Sequence, residues 1–191
     1  KIPPLSINAR NFSNSFGHFF AISSINAAGV LQVPMVLAVW DDEYGISVPN
    51  KYHTTKSSIS KALAGFQRNE HEKGIEIFVV KGWDYLGLCE TFKKAEKIAR
   101  EEHVPVLVHV VEVTQPQGHS TSGSHERYKS RKRLDWERKY DCNKQMREWI
   151  LSEGIATDNE LDVIEEEAKN IAKNAKNTAW KAYLGSVKGE V

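Results

Sequence analysis

The sequence holds only two cysteines, and neither stands in a metal or redox spacing. Cys89 and Cys142 lie far apart, with no histidine pair nearby at zinc-type distance, which argues against a zinc site and a disulfide framework alike. The default is a cytoplasmic chain with two free thiols. An excess of one charge is also missing: 26 Lys and Arg stand against 25 Asp and Glu, a net of +1. Nothing in that balance points to nucleic acid or a membrane surface. No apolar run approaches the ~18 residues of a membrane span, and no signal-peptide pattern opens the chain. Phosphate loop, dinucleotide fingerprint and serine nucleophile elbow are all absent. So are internal repeats and low-complexity segments. The chain opens on Lys1 rather than Met, which points to a fragment or a processed product.

What is present is an ordinary globular composition, 40% apolar and 27% charged over 191 residues, enough for one sizeable core. Residues 33–40, 75–80 and 104–113 are nearly continuous apolar runs, as expected for parallel strands covered on both faces. Between the second and third, residues 84–102 set Tyr85, Leu88, Cys89, Phe92, Ala95 and Ala99 at helical spacing, with Asp84 placed as the cap. Helices are also predicted over 17–32 and, from Ile59, Leu63 and Phe66, over 56–67. The basic run 127–139 reads as a solvated helix face. Further on, Thr157-Asp-Asn-Glu160 is a capping box. It opens a helix whose Leu161, Ile164, Ala168, Ile171, Ala175, Ala179 and Ala182 form one apolar stripe suited to core or subunit packing. The fold class is α/β, a parallel sheet with flanking helices and a C-terminal helical region. The expected division is 1–130, 131–184 and a tail or linker over 185–191.

In open parallel sheets, ligands gather at the carboxyl ends of the strands. Two unusual segments lie there. The first is Trp40-Asp-Asp-Glu-Tyr-Gly-Ile-Ser-Val-Pro49, whose three consecutive acids repel one another. A hard cation would relieve that repulsion through their oxygens; the alternative is an exposed acidic turn. The second is the polar, glycine-rich stretch 114–130 after the third strand, with His119 between a glycine and a serine. Loops of that length are functional or disordered. His18 and His109 read as packing or surface residues, and His53, His71 and His103 as ordinary loop histidines. The residues by themselves reach a cation-and-histidine site at a strand-end edge, and no reaction.

These segments, in this order, resemble the alpha-type subunit of the thiamine-diphosphate-dependent decarboxylating component of 2-oxo acid dehydrogenase complexes. Asn26-Ala-Ala28 through Pro34 is similar to that family's helix entering the strand before the metal loop. Residues 40–49 resemble its Glu-Asn-Asn-x-Tyr-(Gly/Ala)-Ile-Ser segment, and Val80-Lys-Gly-Trp-Asp84 its Val-Asp-Gly-x-Asp turn. Gly118-His-Ser-Thr-Ser122 with Tyr128-Lys129 resembles its Gly-His-Ser-x-Ser-Asp…Tyr-Arg loop, and the last helices its Ser-x-x-Glu-Leu tail. The resemblance implies a thiamine-diphosphate-binding fold, with thiamine diphosphate and magnesium as cofactors. By position it implies Asp42, the backbone carbonyl of Tyr44 and Asn11 as metal ligands, and Tyr44, Ile46 and His119 at the cofactor. His119 would be the catalytic histidine, and Ser120 a regulatory phosphorylation position. Implied partners are a beta-type subunit or fused beta half and a lipoyl-bearing acyltransferase, within a homo- or hetero-oligomer.

The sequence departs from the family's pattern at several points. Asp42 stands where the metal asparagine is expected, and Ala9-Arg-Asn-Phe-Ser-Asn-Ser-Phe-Gly17 stands near the expected Gly-Asp-Gly. Gln115 replaces an arginine, and Gly123 and Ser124 replace an acidic pair. The expected activity is decarboxylation of pyruvate or a branched-chain 2-oxo acid, with acyl transfer to a lipoyl arm. The alternative is a non-catalytic assembly domain of the same fold that packs a partner without cofactor.

Overall fold

A computed structural model of the chain describes residues 5–8, 15–118 and 124–189. The chain divides into two compact units, Lys1–Gln145 and Met146–Val191.

The first unit is built on four parallel strands, β1 (Leu5–Asn8), β2 (Met35–Trp40), β5 (Glu76–Lys81) and β6 (Val106–Val111), in the order β1-β2-β6-β5. Helix α1 (Ser15–Leu31) links β1 to β2, and α3 (Tyr85–Lys97) links β5 to β6. Between β2 and β5 the chain makes a short hairpin, β3 (Tyr44–Gly45) with β4 (Val48–Pro49), and then α2 (Ile59–Ala62). The three expected strands are all there, parallel, and the register sets Trp40 and Val80 on either side of Val110. The carboxyl ends of β2 and β6 are therefore neighbours.

Strand β6 is buried on both faces, as its continuous apolar run requires. Alternation sends Val106, Val108 and Val110 to one face, where they pack with Val80 and with Ala95 and Ala99 of the α3 segment. Those two alanines are 0% exposed, so α3 lies close against the sheet. Leu107 faces the other way, onto Ile25 of α1, Leu37, Val39, Leu63 and Ile75. Burying side chains of this size stabilises by about 1.5–3 kcal/mol each. His109, two residues from Leu107 on that same face, is 1% exposed.

Asp84 caps α3 as expected, accepting a hydrogen bond from Gly87 N at 2.9 Å. The helix closes in a π-helical turn, Ile98–Glu102, and His103 in a left-handed conformation turns the chain into Pro105. The helix expected over 56–67 is broken instead. Lys56 and Ser57 have positive φ, Ser58 caps α2 by accepting from Lys61 N, and short 3-10 turns flank it. Its apolar residues still reach the core: Leu63 is buried, and Ile59 and Phe66 pack against that cluster.

Helix α4 (Arg131–Lys139) falls within the first unit. Helix α5 (Cys142–Ser152) runs from the first unit into the second, where Gly154 at φ +64 turns the chain into α6 (Asp158–Gly189). The capping box is formed: Thr157 N donates to Glu160 Oε2 at 2.8 Å, and Glu160 N donates to Thr157 Oγ1 at 3.4 Å. Arg147 ties the two helices through Asp158, Asp162 and Glu165 at 2.6 to 2.8 Å. Helix α6 continues to Gly189, past the 185 boundary expected for a tail, because nothing before Gly185 interrupts it. No helix among the described residues is long and apolar enough to cross a membrane.

Candidate active site at the carboxyl edge of the sheet

The acidic turn leaves β2 beside the end of β6. Asp41 N donates to Val110 O at 2.8 Å, and Val113 N donates back to Asp41 O at 3.1 Å. The next residues fold into the β3–β4 hairpin through side-chain turns of the kind aspartates favour. Asp41 Oδ1 accepts from Glu43 N at 2.7 Å, and Asp42 Oδ1 accepts from Tyr44 N at 3.1 Å.

The three acids have three different environments, which corrects the picture of a uniformly exposed acidic turn. Asp41 faces His109: its Oδ2 lies 2.9 Å from Nε2, and His109 Nδ1 lies 2.9 Å from Ser60 Oγ in α2. Burial raises the Asp41 pKa, but the bonds from His109 and the Glu43 amide outweigh it and hold the carboxyl below its usual value. Glu43 pairs with Arg133 of α4, which also donates to Asp42 O at 3.2 Å. Among the described residues, no side chain donates a hydrogen bond to the Asp42 carboxyl, which accepts from Tyr44 N. Burial pushes its carboxyl up, and the Tyr44 amide and the nearby Lys129 charge offset this only in part.

Behind the turn lies a buried ion cluster. Lys129 Nζ donates to both oxygens of Glu137, at 2.8 and 3.0 Å, and Arg133 Nε donates to Glu137 Oε1 at 2.8 Å. The Lys129 side chain is 0% exposed. Its ammonium lies 4.9 Å from the Tyr44 ring centroid, with the Arg133 guanidinium at 5.6 Å and the Tyr128 ring at 5.8 Å. The basic run 127–139 is thus not simply a solvated face. Lys129, Arg133 and Glu137 recur at helical spacing and point inward, because the acidic turn needs cations that the protein itself supplies.

In the hairpin, Ile46 has φ +61 and is 52% exposed, an unusual conformation for a β-branched residue. Opposite Tyr44 stands Pro49, which has no N–H, so the Tyr44 carbonyl receives no bond from its cross-strand partner. The structure therefore brings Asp42, Tyr44 and Ile46 together at one strand-end edge. Asn11, His119 and Ser120 lie outside the described residues. Among the described residues, no group of three or more His, Cys, Asp or Glu converges as a metal site. Buried polar atoms without a partner there include Gln115 Oε1, His125 Nδ1 and the Tyr128 hydroxyl, which flank 119–123 on both sides. Burial, with Asp42 and Glu137 nearby, raises the Tyr128 pKa. A cavity of about 340 Å³ is lined by Pro116, His125, Leu134, Glu137 and Arg138 among others.

His109, Ser60, Lys129, Arg133 and Glu137 were not read as site residues from sequence. The signal for His109 was its place inside a continuous apolar parallel strand, where a buried ring must be paired. For Glu137 it was the spacing from Lys129 and Arg133.

A parallel sheet flanked by helices, with a carboxylate turn at its carboxyl edge, defines an α/β protein whose strand ends are the candidate ligand site. The family model for the dehydrogenase E1 component matches residues 14–184, and the chain belongs to that family. It is 24% identical over 161 residues to the pyruvate dehydrogenase E1 component subunit alpha of Rickettsia bellii, covering 82% of this chain and 48% of that protein. The subunit of the same name from Rickettsia prowazekii is 25% identical over 152 residues, covering 80% and 44%. The chain spans about half the length of these curated relatives.

Proposed function

We propose that this chain is the cofactor-holding part of a thiamine-diphosphate-dependent 2-oxo acid dehydrogenase, acting on pyruvate or a branched-chain 2-oxo acid. The observation that carries this reading is Asp42. Among the described residues it is the acid of the turn to which no cationic or histidine side chain donates a hydrogen bond, and burial raises its pKa. A hard oxygen in that state suits a divalent cation, whose charge would restore the ionised form. The Tyr44 carbonyl, opposite a residue with no N–H, supplies a second oxygen, and Asn11 is the candidate third. Such a donor set fits magnesium, which keeps waters and phosphate oxygens in its remaining positions.

Thiamine diphosphate, when bound, supplies the carbanion chemistry that removes carbon dioxide from the substrate. The chain's own residues hold and orient. Ile46 presents its side chain from the hairpin at the cofactor, and the Lys129–Glu137–Arg133 cluster fixes Tyr44 and the backbone of Asp42. His119 would give or take a proton at the acyl-transfer step, as an imidazole can near neutral pH. The partners of this reading are a beta-type subunit or fused beta half and a lipoyl-bearing acyltransferase, and Ser120 is the candidate regulatory serine.

A second reading has one observation in its favour. Asp41 already has a hydrogen-bond partner in His109 and Glu43 an ion-pair partner in Arg133, so the turn is held without metal and could serve a non-catalytic assembly domain. Calorimetric titration with magnesium and thiamine diphosphate, in the assembled enzyme, separates the two. Under the first reading the wild type binds and Asp42→Ala lowers affinity at least about tenfold, the loss of one metal oxygen. No heat of binding in the wild type would leave the assembly domain.

A further inference from the structure

Helix α6 exposes apolar side chains along most of its length. Ile164 is 58% and Ile171 69% exposed on one side of the helix, while the exposed Val163, Trp180 and Tyr183 lie off that side. Surface of that kind on one helix marks a face that is covered in the working molecule. From Leu161 the face follows a seven-residue repeat. Leu161, Ala168, Ala175 and Ala182 recur at one position, and Ile164, Ile171, Thr178 and Gly185 at the other. The first position stays apolar over three heptads, and the second runs from isoleucine to the small Thr178 and Gly185, a seam that a second helix can approach closely.

Charge along the same helix is divided. Every acid of α6 lies before Ala168, and every lysine from Lys169 onward. Two such helices side by side in parallel would set acids on acids and lysines on lysines. Antiparallel, each acidic half meets a basic one.

We propose that this face docks a second copy of itself, α6 against α6, antiparallel about a two-fold axis near the middle of the repeat. In that register Leu161 meets Gly185 of the second copy, Ile164 meets Ala182, Ala168 meets Thr178, and Ile171 meets Ala175. Each larger side chain falls opposite a smaller one, so the helices approach closely in even layers. On one flank Glu167 comes opposite Lys181, and the two-fold axis repeats the pair. Asp158, Asp162 and Glu165, which Arg147 already holds, lie on the other flank and leave the seam open. At a rise of 1.5 Å per residue, the seam from Leu161 to Gly185 runs about 36 Å. This surface is independent of the cofactor reading.

Sedimentation equilibrium of the 191-residue chain over a concentration series tests it. A reversible monomer–dimer equilibrium is expected. Glu167→Lys and Lys181→Glu should each weaken the dimer roughly tenfold, since each turns two opposite-charge contacts into like-charge ones. The double variant should return to wild-type affinity. Ile171→Asp should give a monomer of unchanged helix content by circular dichroism, because that side chain is 69% exposed in the single copy. A monomer at every concentration overturns the proposal. So does a dimer that the double variant fails to restore or that Ile171→Asp leaves intact. A monomer that instead binds a beta-type chain through α6 assigns the face to that partner and overturns it equally.

Discussion

Replacing His109 tests whether the acidic turn is held from inside the sheet. The ring is 1% exposed, and each nitrogen has a partner at 2.9 Å, Ser60 on one side and Asp41 on the other. His109→Ala removes both bonds and leaves a void. A hydrogen bond to a charged group contributes about 1.5–3 kcal/mol, and large-to-small changes in a core cost about 2–5 kcal/mol. The two losses overlap, because the void admits water to Asp41, so the expected total is about 3–5 kcal/mol. His109→Phe fills the space but strands the carboxylate and the Ser60 hydroxyl, and should cost about 2–4 kcal/mol. Urea unfolding followed by tryptophan fluorescence reads both, with the slope checked for constancy. The pH dependence gives a second reading. The folded Asp41 pKa is lowered, so its stability contribution is fully present above the usual carboxyl value of 3.8. It is lost as pH falls through the lower folded value. The cost of Asp41→Asn should therefore shrink in acid. A loss under about 1 kcal/mol for His109→Ala, the net worth of one ordinary hydrogen bond, would refute the view that His109 anchors the turn.

Three further outcomes follow from the same region. Glu137→Ala should cost about 3–5 kcal/mol, because Lys129 is left buried and unpaired; an unchanged urea midpoint would mean that Lys129 escapes to solvent. Ile46→Gly should leave stability equal or up to about 1 kcal/mol higher by thermal unfolding, since a left-handed β-branched residue costs about 1–3 kcal/mol and glycine's unfolded-state entropy offsets part of the relief. Asp42→Asn should be neutral or stabilising at pH 7 without magnesium: its folded pKa is raised, so its contribution is present below 3.8 and lost as pH rises through the folded value. A clear loss of stability on that change, in magnesium-free urea titrations, would count against a strained carboxylate.

The strands were legible because β2, β5 and β6 are apolar on both faces, and a parallel sheet is the structure that buries both. Helix α3 was legible from its spacing and from Asp84. The 56–67 helix was not, since the positive φ of Lys56 and Ser57 follows from tertiary packing that leaves no local sign in those residues. The strand-end site was visible as a turn of three acids but not as three separate fates. Which acid meets a histidine and which an arginine depends on contacts spanning 68 residues to His109 and 90 to Arg133. Helical spacing was the available sign that Lys129, Arg133 and Glu137 form a set, and the run reads from sequence only as a solvated face. Its inward direction followed only from the place of α4 beside the hairpin.

The distribution of counter-charges around the turn carries more than the turn itself. Three adjacent carboxylates on a half-buried edge repel one another, and a protein that needed only a turn there would replace them or neutralise all three. Here Asp41 is hydrogen-bonded from the sheet, by a histidine two residues from the core leucine Leu107. Glu43 is neutralised from α4, by an arginine that also fixes the Asp42 carbonyl. The rigidity given to Asp41 and Glu43 therefore falls on the residue between them. Asp42 is held in place by its neighbours while, among the described residues, its own carboxyl receives no side-chain donor, and burial raises its pKa. Pre-organisation of one acidic oxygen, with its charge only partly offset by the Tyr44 amide and Lys129, lowers the cost of binding a cation. An assembly surface has no use for that asymmetry. Its presence at the carboxyl edge of β2 is why the cofactor-holding reading is preferred to the assembly one.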